Sequence, residues 1–138
     1  VAVRGVSLAV VLTLCGATRS VAATPYDGVW QTTLSCASAG GGLGYSYRFD
    51  AMVRDGLLHG LHGREGEPGY LTLDGPIRPD GEAKLYAQGK VGSPVFVPGR
   101  ETPRGTDYGF DIDAHFHDGE GTGERVEGRP CTLVFEKR

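Results

Sequence analysis

The 138-residue chain is 39% hydrophobic and 22% charged, carries a formal net charge of −3 and holds 23 glycines, a glycine share well above the usual roughly 7%. That length holds one ordinary domain and little more. Three cysteines are too few for a disulfide-dense miniprotein, and the acidic balance lacks the basic patch that a nucleic-acid partner demands.

Residues 1–23 read as a secretory signal peptide. Arg4 supplies the positive start and Val6–Cys15 the apolar run. That run is too short to span a bilayer, which takes roughly 20 residues. Val21-Ala22-Ala23 offers the small residues of a cleavage site, so the expected mature start is Thr24, with an uncleaved anchor as the alternative. Leu14 before Cys15 is too bulky for a good lipid-attachment motif. Arginine outnumbers lysine 11 to 3 and Val stands first, which suggests a GC-rich bacterial gene and a periplasmic or secreted product. Without Arg4 and Arg19, the domain 24–138 carries 12 basic and 17 acidic residues, net −5. It keeps two cysteines, Cys36 and Cys131, which in an oxidising compartment read as a disulfide rather than two buried thiols.

Along that domain no helical period is sustained, whereas alternation recurs. The expected strands are 28–36, 45–54, 57–62, 70–77, 82–89, 106–117, 120–126 and 131–137. In the first, Trp30, Leu34 and Cys36 share a parity. In the second, Tyr45, Tyr47, Phe49, Ala51 and Val53 alternate with polar positions. Asp55-Gly56 follows at once, the preferred pair for a two-residue type I′ hairpin. Pro79-Asp80-Gly81 separates the fourth and fifth strands, and Ala83, Leu85 and Ala87 form one face of the latter. Phe110, Ile112, Ala114 and Phe116 line one face of the sixth, which Asp118-Gly119 terminates. The seventh, holding Gly121 and Gly123, carries the weakest pattern. In the last, Cys131, Leu133 and Phe135 share a face.

Eight antiparallel strands in chain order predict an all-β, up-and-down barrel, since every hairpin is local and closure removes the exposed edges. A two-sheet β-sandwich is the alternative. Closure sets the end of the first strand beside the start of the last, so a Cys36–Cys131 bridge would fasten the seam. The tight turns then gather at one end, and the connections 37–44, 63–69, 90–105 and 127–130 at the other. Loops of that length carry function more often than tight turns. Arg64, Arg100, Arg104 and Arg129, with Glu65, Glu67 and Glu127 nearby, are the expected ligand or partner rim. Four glycines make Ala37–Gly44 read as a flexible loop. Inside, the alanines at 51, 83, 87 and 114 thin an aromatic lining and leave room for a small apolar cavity, while Tyr45 and Tyr47 need partners for their hydroxyls if buried.

Chemistry-bearing motifs are sparse. His115 and His117 share an outward face with Asp111 and Asp113, but residues spaced along one strand do not converge as metal ligands must, so no metal and no cofactor is expected. His59 and His62, three apart, point to opposite faces. The chain holds no G-x-S-x-G, H-E-x-x-H or Walker A pattern. Gly40-Gly41-Gly42 opens no strand–helix phosphate loop, and acidic pairs such as Glu65/Glu67 read as solvated. No catalytic residue is assigned.

Gly28-Val29-Trp30 resembles the G-x-W opening of lipocalin- and avidin-like barrels. The resemblance implies that Trp30 closes the barrel floor opposite the long loops, and that a late arginine, here Arg125, packs on it. The lipocalin C-terminal helix has no counterpart. Tyr26–Trp30, Pro68–Gly75 and Gly128–Leu133 resemble segments of small exported proteins of proteobacteria, a resemblance that implies no activity. The expected function is therefore an exported, monomeric binding module. Its long-loop end would engage a small apolar molecule, a glycan or a protein, as an inhibitor in the last case. A structural or envelope-associated domain is the alternative, and an enzyme ranks below both.

Overall fold

The computed structural model describes residues 2, 3, 5, 10, 11, 15–17 and 23–138. The export signal expected over 1–23, with its cleavage motif, lies largely outside the described residues. Eight strands follow: β1 Gly28–Cys36, β2 Tyr45–Arg54, β3 Leu57–His62, β4 Leu71–Pro76, β5 Glu82–Lys90, β6 Asp107–His117, β7 Glu120–Arg125 and β8 Cys131–Lys137, with a 3-10 turn at Pro94–Phe96. They pair antiparallel in chain order and close, β8 returning to β1. The barrel is thus the fold and the sandwich is not. Strand ends differ from those read in the sequence by a residue at most; Ile77, expected in the fourth strand, rejoins β5 through an isolated bridge to Ala83.

The tight turns explain the register. Asp55 and Gly56 have φ 51° and 75°, and Asp118 and Gly119 have φ 44° and 79°. Two consecutive positive values define the type I′ turn, whose twist matches that of the flanking strands. The β4–β5 connection is longer. The Gly81 amide donates to the Arg78 carbonyl at 2.9 Å and Gly81 takes φ 90°, the three-residue hairpin that needs glycine at its left-handed position.

The turn end is closed by side chains. Trp30 is fully buried and meets Phe116 edge-on at 5.1 Å; Phe116 in turn packs on Phe135 at 4.7 Å. The Trp30 indole donates to the Tyr26 carbonyl at 2.7 Å, and the Tyr26 ring lies 6.2 Å from Phe116. Asp27 pins this floor to the β2–β3 turn by accepting from the Asp55 and Gly56 amides at 3.1 and 3.0 Å. Its carboxyl also accepts from the Thr24 hydroxyl at 2.5 Å, and these bonds hold it below its ordinary value of 3.8. Trp30 therefore occupies the floor, opposite the long loops. The arginine expected on it does not. Arg125 lies near the other end of the barrel, over Phe110 at 4.4 Å, and the cation nearest the indole face is Lys137, at 5.9 Å. β7 runs from the turn end toward the mouth, and Arg125 is its last residue, whereas β8 brings Lys137 opposite Trp30.

Above the floor the interior is filled. Leu34, Leu58, Leu71, Leu73, Leu85, Ile112 and Leu133 are buried, as is Thr32, whose hydroxyl turns back to the Trp30 carbonyl at 3.3 Å. The two glycines that weaken the β7 pattern both face inward. A Cβ at Gly121 would lie 2.8 Å from Phe116, and one at Gly123 3.1 Å from Ile112. The strand is poor in side chains because its neighbours' side chains occupy the space.

Cys36 and Cys131 are direct partners across the β1–β8 seam and form a disulfide, Sγ–Sγ 2.08 Å. The Ala37 amide bonds the Pro130 carbonyl at 2.9 Å, so the cysteines one step inward occupy a non-hydrogen-bonded pair, where facing side chains come closest. Among the described residues, no helix is long and apolar enough to cross a membrane.

Candidate functional site

The connections at the disulfide end are tied to one another rather than merely adjacent. Pro130 has no amide hydrogen, so it cannot complete its ladder rung with Ala37. Arg129 takes that place: Nε and Nη2 donate to the Ala37 carbonyl at 3.0 and 2.8 Å. The same guanidinium reaches the Leu43 carbonyl at 3.0 Å and the Phe96 carbonyl at 2.5 Å. One side chain thereby joins the last loop, the 37–44 loop and the 3-10 turn. The Leu43 amide adds a bond to the Val95 carbonyl at 2.8 Å, the Gly99 amide one to Gly40 at 2.8 Å, and Arg100 Nε one to the Gly41 carbonyl at 2.7 Å. The glycines of 37–44 serve this contact: a Cβ on Gly42 would stand 2.6 Å from the Val97 carbonyl carbon. What reads in sequence as flexibility is close backbone packing.

Beneath these loops lies a cavity of about 400 Å³. Val91, Phe96, Val97 and Pro98 form its apolar wall, and Tyr45, Tyr47 and Tyr108 converge on it from β2 and β6. Tyr45 and Tyr47 lie 5.0 Å apart, Phe96 stands edge-on to Tyr45 at 6.2 Å, and Tyr108 stacks along Phe110 at 6.3 Å. Tyr108 fits because its partner across the ladder is Gly89, where a Cβ would come within 2.9 Å of the phenol oxygen. Burial pushes the Tyr108 phenol far above its ordinary 10.0, with Tyr45 and Tyr47 adding to the effect. Burial also raises Tyr45 and Tyr47, while the positive charge of Arg129 works against the rise at Tyr45. The cavity thus holds three neutral hydroxyls on an aromatic wall.

Two cations border it. Arg129 lies 5.3 Å over the Tyr45 ring and Arg125 4.4 Å over Phe110. Arg125 donates Nε to the Glu127 carbonyl at 2.5 Å, and Gly128 lets the guanidinium lie close, since a Cβ there would meet Nη2 at 2.9 Å. Asp107 also borders the cavity, but its carboxylate is bound by Lys90 at 2.7 Å and holds that ammonium above its ordinary 10.5.

Of the four rim arginines expected from sequence, Arg129 borders the cavity, and Arg64, Arg100 and Arg104 lie outside its lining. Arg64 stands exposed with Glu67 at 3.6 Å. Tyr108 and Phe96 are functional candidates that sequence reasoning missed, and Arg125 one that it placed at the floor instead; Tyr108 shares the parity of Phe110, the signal that marks it. The cavity also lies above the alanine-lined wall, not against it: Ala51, Ala83, Ala87 and Ala114 are buried in the filled core. His62 points inward as its parity requires and stacks on Tyr47 at 3.9 Å, with Nδ1 buried and unpartnered. The outward row pairs across strands: His115 with Glu82 at 2.9 Å, Lys84 with Asp113 at 2.6 Å, and His59 with Asp74.

Comparison of the chain with protein-family models, with curated proteins and with solved structures finds no match.

Proposed function

We propose that the protein is an exported binding module that takes a small, largely apolar molecule into the cavity at the barrel mouth. The observation that carries the reading is the aromatic hollow of about 400 Å³ held beneath loops that are tied to one another. That volume falls within the range of roughly 300–1,000 Å³ typical of small-molecule sites, which are mostly apolar with a few placed polar groups. Trp30, Phe116 and Phe135 fill the interior below, so the ligand sits over the barrel rather than inside it. Asp107, the one carboxylate on the lining, is held by Lys90, which supports a binding reading over a catalytic one. The disulfide fits an oxidising compartment, in keeping with a periplasmic or secreted location.

Native mass spectrometry of the protein purified from its own periplasm or medium tests the reading. The expected result is a small-molecule adduct that dissociates on activation and is lost in a Tyr108→Ala variant. An adduct equally present in that variant contradicts the mouth as its site. A second reading, an envelope-associated domain that docks a protein, is favoured by the half-exposed apolar lip of Leu43 and Phe96. It predicts a co-purifying polypeptide and no small-molecule adduct.

A further inference from the structure

The mouth cavity carries an electrostatic asymmetry that an apolar ligand leaves unused. The domain is acidic, yet both guanidinium groups at the cavity belong to residues with no carboxylate within salt-bridge distance among the described residues. The one carboxylate on the lining, Asp107, is already neutralised by Lys90. The two arginines differ in what they have left to give. Arg129 spends its donors on the carbonyls of Ala37, Leu43 and Phe96 and is a structural tie. Arg125 commits Nε alone, to Glu127. A guanidinium has five N–H donors, so both of its terminal nitrogens remain available. Its flat face rests on Phe110, an arrangement that fixes the plane while leaving the edge free for a planar oxyanion.

We propose that the ligand is an organic acid: an apolar or aromatic body against Tyr45, Tyr108 and Phe96, with its carboxylate or similar planar oxyanion on the free edge of Arg125. This rests on the binding reading above and deepens it by naming the ligand's chemical class. The neutral phenols suit the same ligand, since a hydroxyl that keeps its proton donates to an oxyanion and repels nothing. An uncharged apolar ligand would instead cover the Arg125 edge and strand its donors out of water, which carries a penalty.

The test is isothermal titration of the disulfide-intact protein with a matched pair of probes, 2-naphthoate and its neutral isostere 2-naphthamide. The expected result is binding of naphthoate about tenfold or more tighter than naphthamide, a factor worth about 1.4 kcal/mol. Arg125→Gln should erase that preference by weakening naphthoate while leaving naphthamide within about twofold, and Arg125→Lys, which keeps the charge, should retain part of it. Thermal melts of each variant verify the fold, and Arg125→Lys keeps the test decisive if Arg125→Gln is unstable. Equal affinities for the two probes in the unmodified protein would overturn the acid assignment and leave the apolar-binding reading standing. A preference that survives Arg125→Gln would overturn Arg125 as the anchor. Failure of both probes to bind at millimolar concentration would overturn the binding reading itself.

Discussion

Tyr108 is the residue in which packing and the proposed site meet. Its ring is admitted by Gly89 and is partly buried beside those of Tyr45 and Tyr47. A phenol whose folded value is raised keeps a proton that the unfolded chain releases near 10.0. Its contribution to stability is therefore complete below the unfolded value and is lost as pH rises from there through the folded value. The protein should lose thermal stability on going above pH about 10, and Tyr108→Phe should reduce that loss. Melting curves across the alkaline range, with phenolate absorbance recorded in the folded state, check this. A Tyr108 that ionises at its ordinary value in the folded protein would contradict its burial. Tyr45 and Tyr47 were legible in sequence as inward rings in need of partners. The third ring lay inside the expected strand 106–117, on the parity of Phe110, but was not singled out, because the room for it comes from Gly89, its partner across the ladder, which only the register reveals. Arg125 misled for a similar reason. The resemblance carried by Gly28-Val29-Trp30 pointed a late arginine to the floor, whereas strand direction and register put Arg125 at the mouth.

At the scale of elements, the turns and strand parities carried most of the fold. Asp-Gly pairs with alternating flanks define hairpins by local chemistry, and local chemistry is what a sequence displays directly. β7 illustrates the limit: Gly121 and Gly123 only weaken its pattern in the sequence, until Phe116 and Phe135 are seen to need the volume at Gly121. Gly121→Ala should therefore destabilise the barrel by about 1–3 kcal/mol through overpacking, measured by denaturant unfolding, and a neutral result would mean that the rings move aside freely. Loop-to-loop ties were invisible for a different reason, since they depend on contacts between segments distant in the chain. Arg129 is the chief of these. Arg129→Ala leaves the carbonyls of Ala37, Leu43 and Phe96 without their shared donor, and a loss of about 1–3 kcal/mol is expected. Faster amide exchange should appear at Leu43, whose amide bonds Val95 across the same junction. Arg129→Lys should not restore it, because a point charge cannot span three acceptors. Unchanged exchange in both variants would show that the loops hold one another without the guanidinium.

For the molecule as a whole, closure does two things: it removes the sheet's exposed edges, and it gathers four connections at one end, two of which, 90–105 and 127–130, line the mouth cavity. The disulfide fastens the mouth end of the seam where the first and last strands meet. Its partners are 95 residues apart, so in the chain-entropy account it contributes about 4–5 kcal/mol by restricting the unfolded state. A Cys36→Ala, Cys131→Ala double variant should be less stable by an amount approaching that figure in equilibrium unfolding, while keeping the same β circular dichroism when folded. Equal stability with and without the bridge would mean that strand pairing alone determines closure. The barrel was readable from the chain because its hairpins are sequential and its cysteines fall at matching positions of the first and last strands. The location of the cavity was not, since it depends on how the longest loop folds back over the mouth.

Everything proposed for the mouth requires β1 and β8 to lie side by side. The most direct measurement is a set of nuclear Overhauser contacts across that seam in the oxidised protein. Leu34 faces Leu133 and Thr32 faces Phe135 at non-hydrogen-bonded positions, where the α-protons of an antiparallel pair approach most closely. Strong α-proton contacts for both pairs are the predicted result. Their absence, with β1 paired to β2 alone, would contradict the closed barrel and with it the ring of loops that forms the site.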